Sequence, residues 1–203
     1  MGQYDYPAMI DYVLNVTRQS ALFLVGHSQG AHTFFTATSR HPEIQKKVKL
    51  FFAFAPSLSS THLGSIAIKT CVSNPRLIEA ALSRIPDRAY SMPVLSPICG
   101  RTSFQGPCKW IFNELSGPVD QVDPLRLPVI TAHFPGGTSN KNWKHWLQQV
   151  HNGTKYFDYG EEGNMAAYGT RHPREYDFSE FSVPTAIYFS PADKLVSSDD
   201  IKV

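Results

Sequence analysis

The stretch Ala21 to Gly30, ALFLVGHSQG, constrains the fold more than any other part of this chain. A mostly apolar run, Ala21 to Val25, leads without polar interruption into Gly26-His27-Ser28-Gln29-Gly30, a match to the pattern G-x-S-x-G. A buried parallel strand needs a continuous apolar run. A serine at the tip of a sharp strand-to-helix turn needs small residues two before and two after it, and Gly26 and Gly30 occupy those positions. A helix is predicted over Gln29 to Arg40, so the motif sits in the strand–turn–helix surroundings that give it meaning. The reading is a nucleophile elbow with Ser28 at its tip.

The flanking sequence extends the pattern. Asp5-Tyr6-Pro7 offers a capping side chain and a proline in the first turn of a helix whose apolar residues follow at Ile10, Val13 and Leu14. A helix leading into a parallel strand is a crossover, so an earlier strand is expected before Met1. After the elbow, His41-Pro42 ends the second helix, and Lys49 to Ala55, KLFFAFA, is the next buried strand, closed by Pro56. The class is α/β, a parallel sheet with flanking helices.

From Ser57 to about Ser179 the alternation stops, and ten of the chain's 15 prolines fall there. A loop of that length does not belong inside a domain, so the segment reads as an inserted, mostly helical cap. Short helical patches are predicted, such as Arg76 to Arg84. Lys109 to Leu115 and Lys141 to Val150 are amphipathic helices; the second carries Trp143, Trp146 and Leu147, which either form the cap's core or line an apolar tunnel. Rhythm returns at Val183 to Phe189, VPTAIYF, a strand that delivers Ser190-Pro191-Ala192-Asp193. The expected division is 1–56 and 180–203 as core and 57–179 as cap. Side chains at the carboxyl ends of parallel strands face the site crevice, so Asp193 is placed to orient a histidine, the alternative being a turn cap.

The chain's balance narrows its partners. Lys plus Arg is 19 against 17 Asp plus Glu, a formal charge of +2, which gives no case for nucleic acid. No apolar run approaches the ~18 residues needed to span a bilayer, and no signal peptide is expected in the chain as it stands. No C-x-x-C or H-E-x-x-H spacing points to a metal.

The blocks YDYPAMIDYVLNVT, GHSQG, FFAFAP, AHFPGGTS followed by NWKHW, and VPTAIYFSPAD occur in an order and spacing that resembles the acid lipases, the family of gastric and lysosomal acid lipase. The resemblance covers essentially the whole chain. It implies a partial α/β-hydrolase fold with a helical cap, and hydrolysis of triacylglycerols or cholesteryl esters at a lipid–water interface, without a cofactor. Ser28 falls on the family's nucleophile and Asp193 on its triad acid, while the backbone N–H of Gln29 falls on one oxyanion-hole donor.

In this fold the triad order along the chain is Ser, acid, His. All the histidines, His27, His32, His41, His62, His133, His145, His151 and His172, precede Asp193. The chain is therefore expected to be a fragment lacking the catalytic histidine, close to inactive alone and prone to aggregate. The alternative is a non-catalytic truncated or pseudo-lipase product, at most a lipid-binding remnant.

Cys99 and Cys108 bracket CGRTSFQGPC, a loop that a disulfide could close, although free thiols also fit. The family carries a disulfide of matching spacing there, which implies that pairing and leaves Cys71 alone. Asn15-Val16-Thr17 and Asn152-Gly153-Thr154 are glycosylation sequons at Asn15 and Asn152. With the disulfide they favour a secreted or lysosomal parent protein.

Overall fold

The apolar runs on either side of the elbow form two neighbouring strands of a parallel sheet. The computed structural model describes residues 1–74, 77–78, 80, 84, 89–90, 96–133 and 136–201. In chain order the elements are α1 (Asp5–Thr17), β1 (Leu22–His27), α2 (Gln29–Arg40), β2 (Val48–Phe54), α3 (Ile66–Val72), β3 (Ala89–Tyr90), α4 (Ser96–Cys99), α5 (Gln105–Ser116), α6 (Leu127–His133), β4 (Thr138–Ser139), α7 (Asn140–Asn152), α8 (Gly160–Tyr168), β5 (Thr185–Tyr188) and α9 (Ser198–Ile201). The helical patch expected over Arg76 to Arg84 rests on residues outside those described. So does the side chain of Cys71.

The chain divides into two units. The first comprises Met1–His62, Asn152–Pro191 and Val196–Val203, and the second Leu63–His151 and Ala192–Leu195. The first holds the sheet, ordered β1-β2-β5 with all pairs parallel. Register sets Leu24 beside Phe51, Gly26 beside Ala53, and Phe52 beside Ala186. With helices flanking this parallel sheet, the α/β class read from the sequence holds. β5 is shorter than Val183 to Phe189 because Pro184 has no N–H for the ladder, yet its carbonyl still accepts from Phe51 N at 2.9 Å.

Helices α1 and α2 cover one face of the sheet. Phe34 and Phe35 of α2 meet Phe51 edge-on at 4.7 and 5.4 Å, over a core that includes Ile10, Ala31, Ala37, Ile44 and Ala53. T-shaped rings of this kind add about 0.5–1.5 kcal/mol per pair beyond area burial. Side chains alternate across a strand, so Phe23, Val25, Phe54 and Tyr188 point to the other face. Phe23 and Val25 are 65% and 66% exposed there. A parallel sheet ordinarily buries both faces, and these residues give the first unit a large apolar surface.

Helix α1 corrects one local expectation. Its N-cap position is Tyr4, with no side-chain cap, and Asp5 lies inside the helix, 3.6 Å from the N-terminal ammonium. A carboxylate in the first turn serves the helix dipole without filling the cap, and an exposed pair of this kind is worth at most about 1 kcal/mol.

Residues 152–178 add a tyrosine cluster to the first unit. Tyr156 packs against Tyr168 and Tyr176, and the Arg40 guanidinium lies 4.5 Å above the Tyr156 ring. Burial pushes the Tyr176 phenol up to about 12 from its ordinary 10.0, Arg40 opposing. Because the folded chain keeps this proton to higher pH than the unfolded one, the stabilising effect is intact below pH 10 and lost between about 10 and 12. Two units correspond to roughly 2–3 kcal/mol. Urea unfolding at pH 8 and pH 11 is expected to show about half of that loss, roughly 1–1.5 kcal/mol, and Tyr176→Phe to reduce it, the Tyr168 phenol being raised by burial too; an equal loss in the variant would mean that only other groups titrate.

The second unit is mostly helical. Leu63, Val72 and Leu147 form its buried cluster, with Ile68, Trp146 and Val150 packed against it. Trp146 thus belongs to that core, whereas Trp143 is exposed and meets it edge-on at 6.1 Å. Cys99 and Cys108 are buried and bonded, closing a loop of nine residues' separation. Closing a loop of that size stabilises by roughly 2–3 kcal/mol. No helix among the described residues is long and apolar enough to cross a membrane.

Candidate active site

Strand β1 must turn into α2 within one residue, and Ser28 is that residue. Its φ of 51° and ψ of −123° lie where a side chain is strained, at a typical cost of 1–3 kcal/mol. The surrounding packing holds it. Ser28 N–H donates to Phe54 O at 2.8 Å, at the end of β2, and its carbonyl accepts from His32 N at 3.1 Å in α2. Gln29 opens α2, so its N–H lies in the first turn, at the positive end of the helix dipole.

The two glycines of the motif differ. A Cβ on Gly26 would stand 2.9 Å from both Ala31 Cα and Ala31 N and 3.1 Å from the Phe51 ring. No side chain fits while α2 folds back this closely on β1. On Gly30 a Cβ would meet nothing nearer than the Tyr6 hydroxyl at 4.0 Å, the same hydroxyl that donates to Gly30 O at 2.6 Å. Steric need for a small residue therefore holds at Gly26 and not at Gly30. His27, exposed at the end of β1, pairs in register with Phe54.

Asp193 lies after β5 in the second unit and is half-buried. One carboxylate oxygen accepts from Leu195 N–H at 2.8 Å, a turn-capping contact. Its neighbour Lys194 donates its N–H to Ser116 O and accepts from Gly64 and Ser65 at 2.8 and 3.0 Å. Gly117, at φ 104°, lies against Ala192 O so closely that only glycine fits. The stretch bearing Asp193 is thus fixed by backbone contacts within its own unit.

Asn15 and Asn152 are both exposed. The Thr17 hydroxyl donates to Val13 O at 2.7 Å and the Thr154 hydroxyl to Leu58 O at 2.7 Å. Among the described residues, no group of three or more His, Cys, Asp or Glu is arranged to hold a metal ion.

Two features at the carboxyl edge of the sheet had no sequence signal. Ala55, directly after β2, has φ 45°. Asp200, fully buried, accepts from His62 Nδ1 at 2.9 Å and from the main-chain N–H groups of Thr61 and His62 at 3.3 and 3.1 Å. That carboxylate joins the loop after β2 to the segment after β5. The two residues are 138 positions apart, so no local pattern could have paired them.

No protein-family model matches the chain. Curated relatives do. Lipase lipl-1 of Caenorhabditis elegans is 34% identical over 212 residues, covering 99% of this chain and 52% of its own length. Lysosomal acid lipase/cholesteryl ester hydrolase of Rattus norvegicus is 34% identical over 209 residues, covering 100% and 53% respectively. Human lipase member K is 33% identical over 208 residues, covering 100% and 52%. The chain spans about half the length of the curated relatives it matches. The matches cover essentially the whole chain, and over the residues it spans the chain belongs to the acid lipase family.

Proposed function

We propose that the protein is a serine-dependent carboxylic ester hydrolase acting on neutral lipids, triacylglycerol or cholesteryl ester. The observation that carries this reading is the backbone of Ser28: a strained, non-glycine residue between a parallel strand and a helix, within G-x-S-x-G. Strain of this kind persists where function uses it. Relatives named as lipases and as a cholesteryl ester hydrolase support the substrate class.

In this reading Ser28 Oγ attacks the ester carbonyl and gives its proton to a histidine base. The carbonyl oxygen becomes an oxyanion that the Gln29 N–H helps to hold, at the positive end of α2. The alkoxide leaves with the histidine's proton, and water then hydrolyses the acyl-enzyme by the same route in reverse. Asp193 is the acid that orients the histidine. That histidine follows the acid in chain order, and the residues after Asp193 include none. We therefore assign the base to sequence beyond Val203, with this chain a fragment of a larger enzyme. The segment between β2 and β5, read from the sequence as a cap over 57–179, is in this reading what selects the ester. Glycosylation at Asn15 and Asn152, together with the Cys99–Cys108 bond, fits a secreted or lysosomal protein.

The test is fatty-acid release by the natural protein from emulsions of trioleoylglycerol and of cholesteryl oleate. Release from either emulsion supports the reading. Release from neither, by folded protein, overturns it.

A further inference from the structure

The peptide group between Phe54 and Ala55 makes two hydrogen bonds in opposite directions across the sheet. Its carbonyl accepts the Ser28 N–H at 2.8 Å, and its N–H donates to Tyr188 O at 2.7 Å. One rigid plane thus ties the elbow serine on one side to the end of β5 on the other. The Phe54 ring stacks on Tyr188 at 4.8 Å and 14°, holding the same two strand ends together.

The residue that leaves this plane is strained. Ala55 has φ 45°, a left-handed value that costs an L side chain energy and that glycine or asparagine adopts more readily. The next residue, Pro56, is fully buried, and proline steers its predecessor toward extended backbone, away from the conformation seen here. Rotation about the Ala55 N–Cα bond is the freedom by which the strain could relax. Relaxation by turning the peptide plane would swing the Phe54 carbonyl off the Ser28 amide.

We infer that Ala55 is a positioning residue for Ser28: its left-handed backbone locks the Phe54–Ala55 peptide so that the Phe54 carbonyl fixes the main chain of the nucleophile. This rests on Ser28 being the nucleophile. The inference concerns orientation, since Ala55 itself touches no reacting atom. Misplacing a reacting group by about 1 Å costs on the order of a hundredfold in rate, so a device that fixes the elbow bears on turnover more than on substrate binding.

The experiment is a series at one site in the natural protein, Ala55→Gly, Ala55→Asn and Ala55→Val, assayed on a soluble ester with hydrogen exchange of the Ser28 amide followed in parallel. Gly and Asn tolerate the left-handed region and Val does not. The expected result is that Gly and Asn keep kcat within about threefold of the parent, while Val lowers it at least about tenfold with KM little changed. Ser28 N–H protection is expected to fall in step with kcat. Folded Val protein with parental kcat overturns the inference, and so does an equal loss in Asn and Val, which would mark side-chain volume as the cause. If the Val protein does not fold, the Gly and Asn pair decides: parental kcat and Ser28 protection in both supports the inference, and loss of either in Asn overturns it. Ser28→Ala run alongside separates the two ideas, because activity that survives it removes the nucleophile reading whatever the Ala55 series does to the amide.

Discussion

Ser28→Ala in the natural protein is expected to lower kcat/KM for a lipid ester by about 10⁴-fold or more while leaving the fold intact. The magnitude follows from removing the member of a nucleophile–base pair that forms the covalent bond, which leaves only oxyanion stabilisation and binding. The fold should survive because the serine side chain is small. Its removal changes neither the amide bond to Phe54 O nor the packing of Phe34 and Phe35 on Phe51. Steady-state hydrolysis and thermal unfolding of the same preparation check both halves. A variant that keeps a tenth of the parent's activity, by order of magnitude, would mean that another group attacks the ester.

The motif glycines give the second large contrast. Gly26→Ala is expected to destabilise by roughly 2–3 kcal/mol, because the new methyl meets backbone atoms of Ala31 that cannot move without shifting α2. For a chain of this size that is a fall in Tm of roughly 5–10 °C. Gly30→Ala is expected to do the opposite. Its Cβ has room, it lies inside α2, and exchanging glycine for alanine in a helix gains roughly 0.5–1 kcal/mol. Paired thermal melts decide it. Equal losses in both variants would contradict the close-approach argument, since that argument separates the two positions by space alone.

β1, β2 and α2 were legible because each carries a continuous signal: an apolar run for a buried strand, a breaker at Pro42, and a motif that joins strand to helix. The acid lipase family could be read from block order, and the relatives' identities bear it out. The expectation at Asp5 failed for a local reason. An acidic residue suits the first turn as well as the cap, and sequence does not distinguish those adjacent positions.

Features made by long-range geometry left no trace. The left-handed backbone of Ala55 runs against the sequence cue, since the following proline argues for extended chain. The bond between His62 and the buried Asp200 depends on the loop after β2 meeting the segment after β5. The tyrosine cluster around Arg40 draws on residues of α2, of α8 and of the chain on either side of α8, none of which stands out alone. The first two lie where the sheet's topology brings strand ends together, and the third where Arg40 at the end of α2 meets Tyr156.

Covalent labelling of the natural protein with a p-nitrophenyl alkylphosphonate, an ester mimic that stays bonded to an activated serine, followed by peptide mass spectrometry, asks whether Ser28 is the nucleophile. The expected result is one phosphonyl group per chain, on the peptide that carries Ser28, with hydrolysis lost in proportion to labelling. Hydrolysis that persists with Ser28 unlabelled, or a label carried by a different residue as activity is lost, would contradict the account.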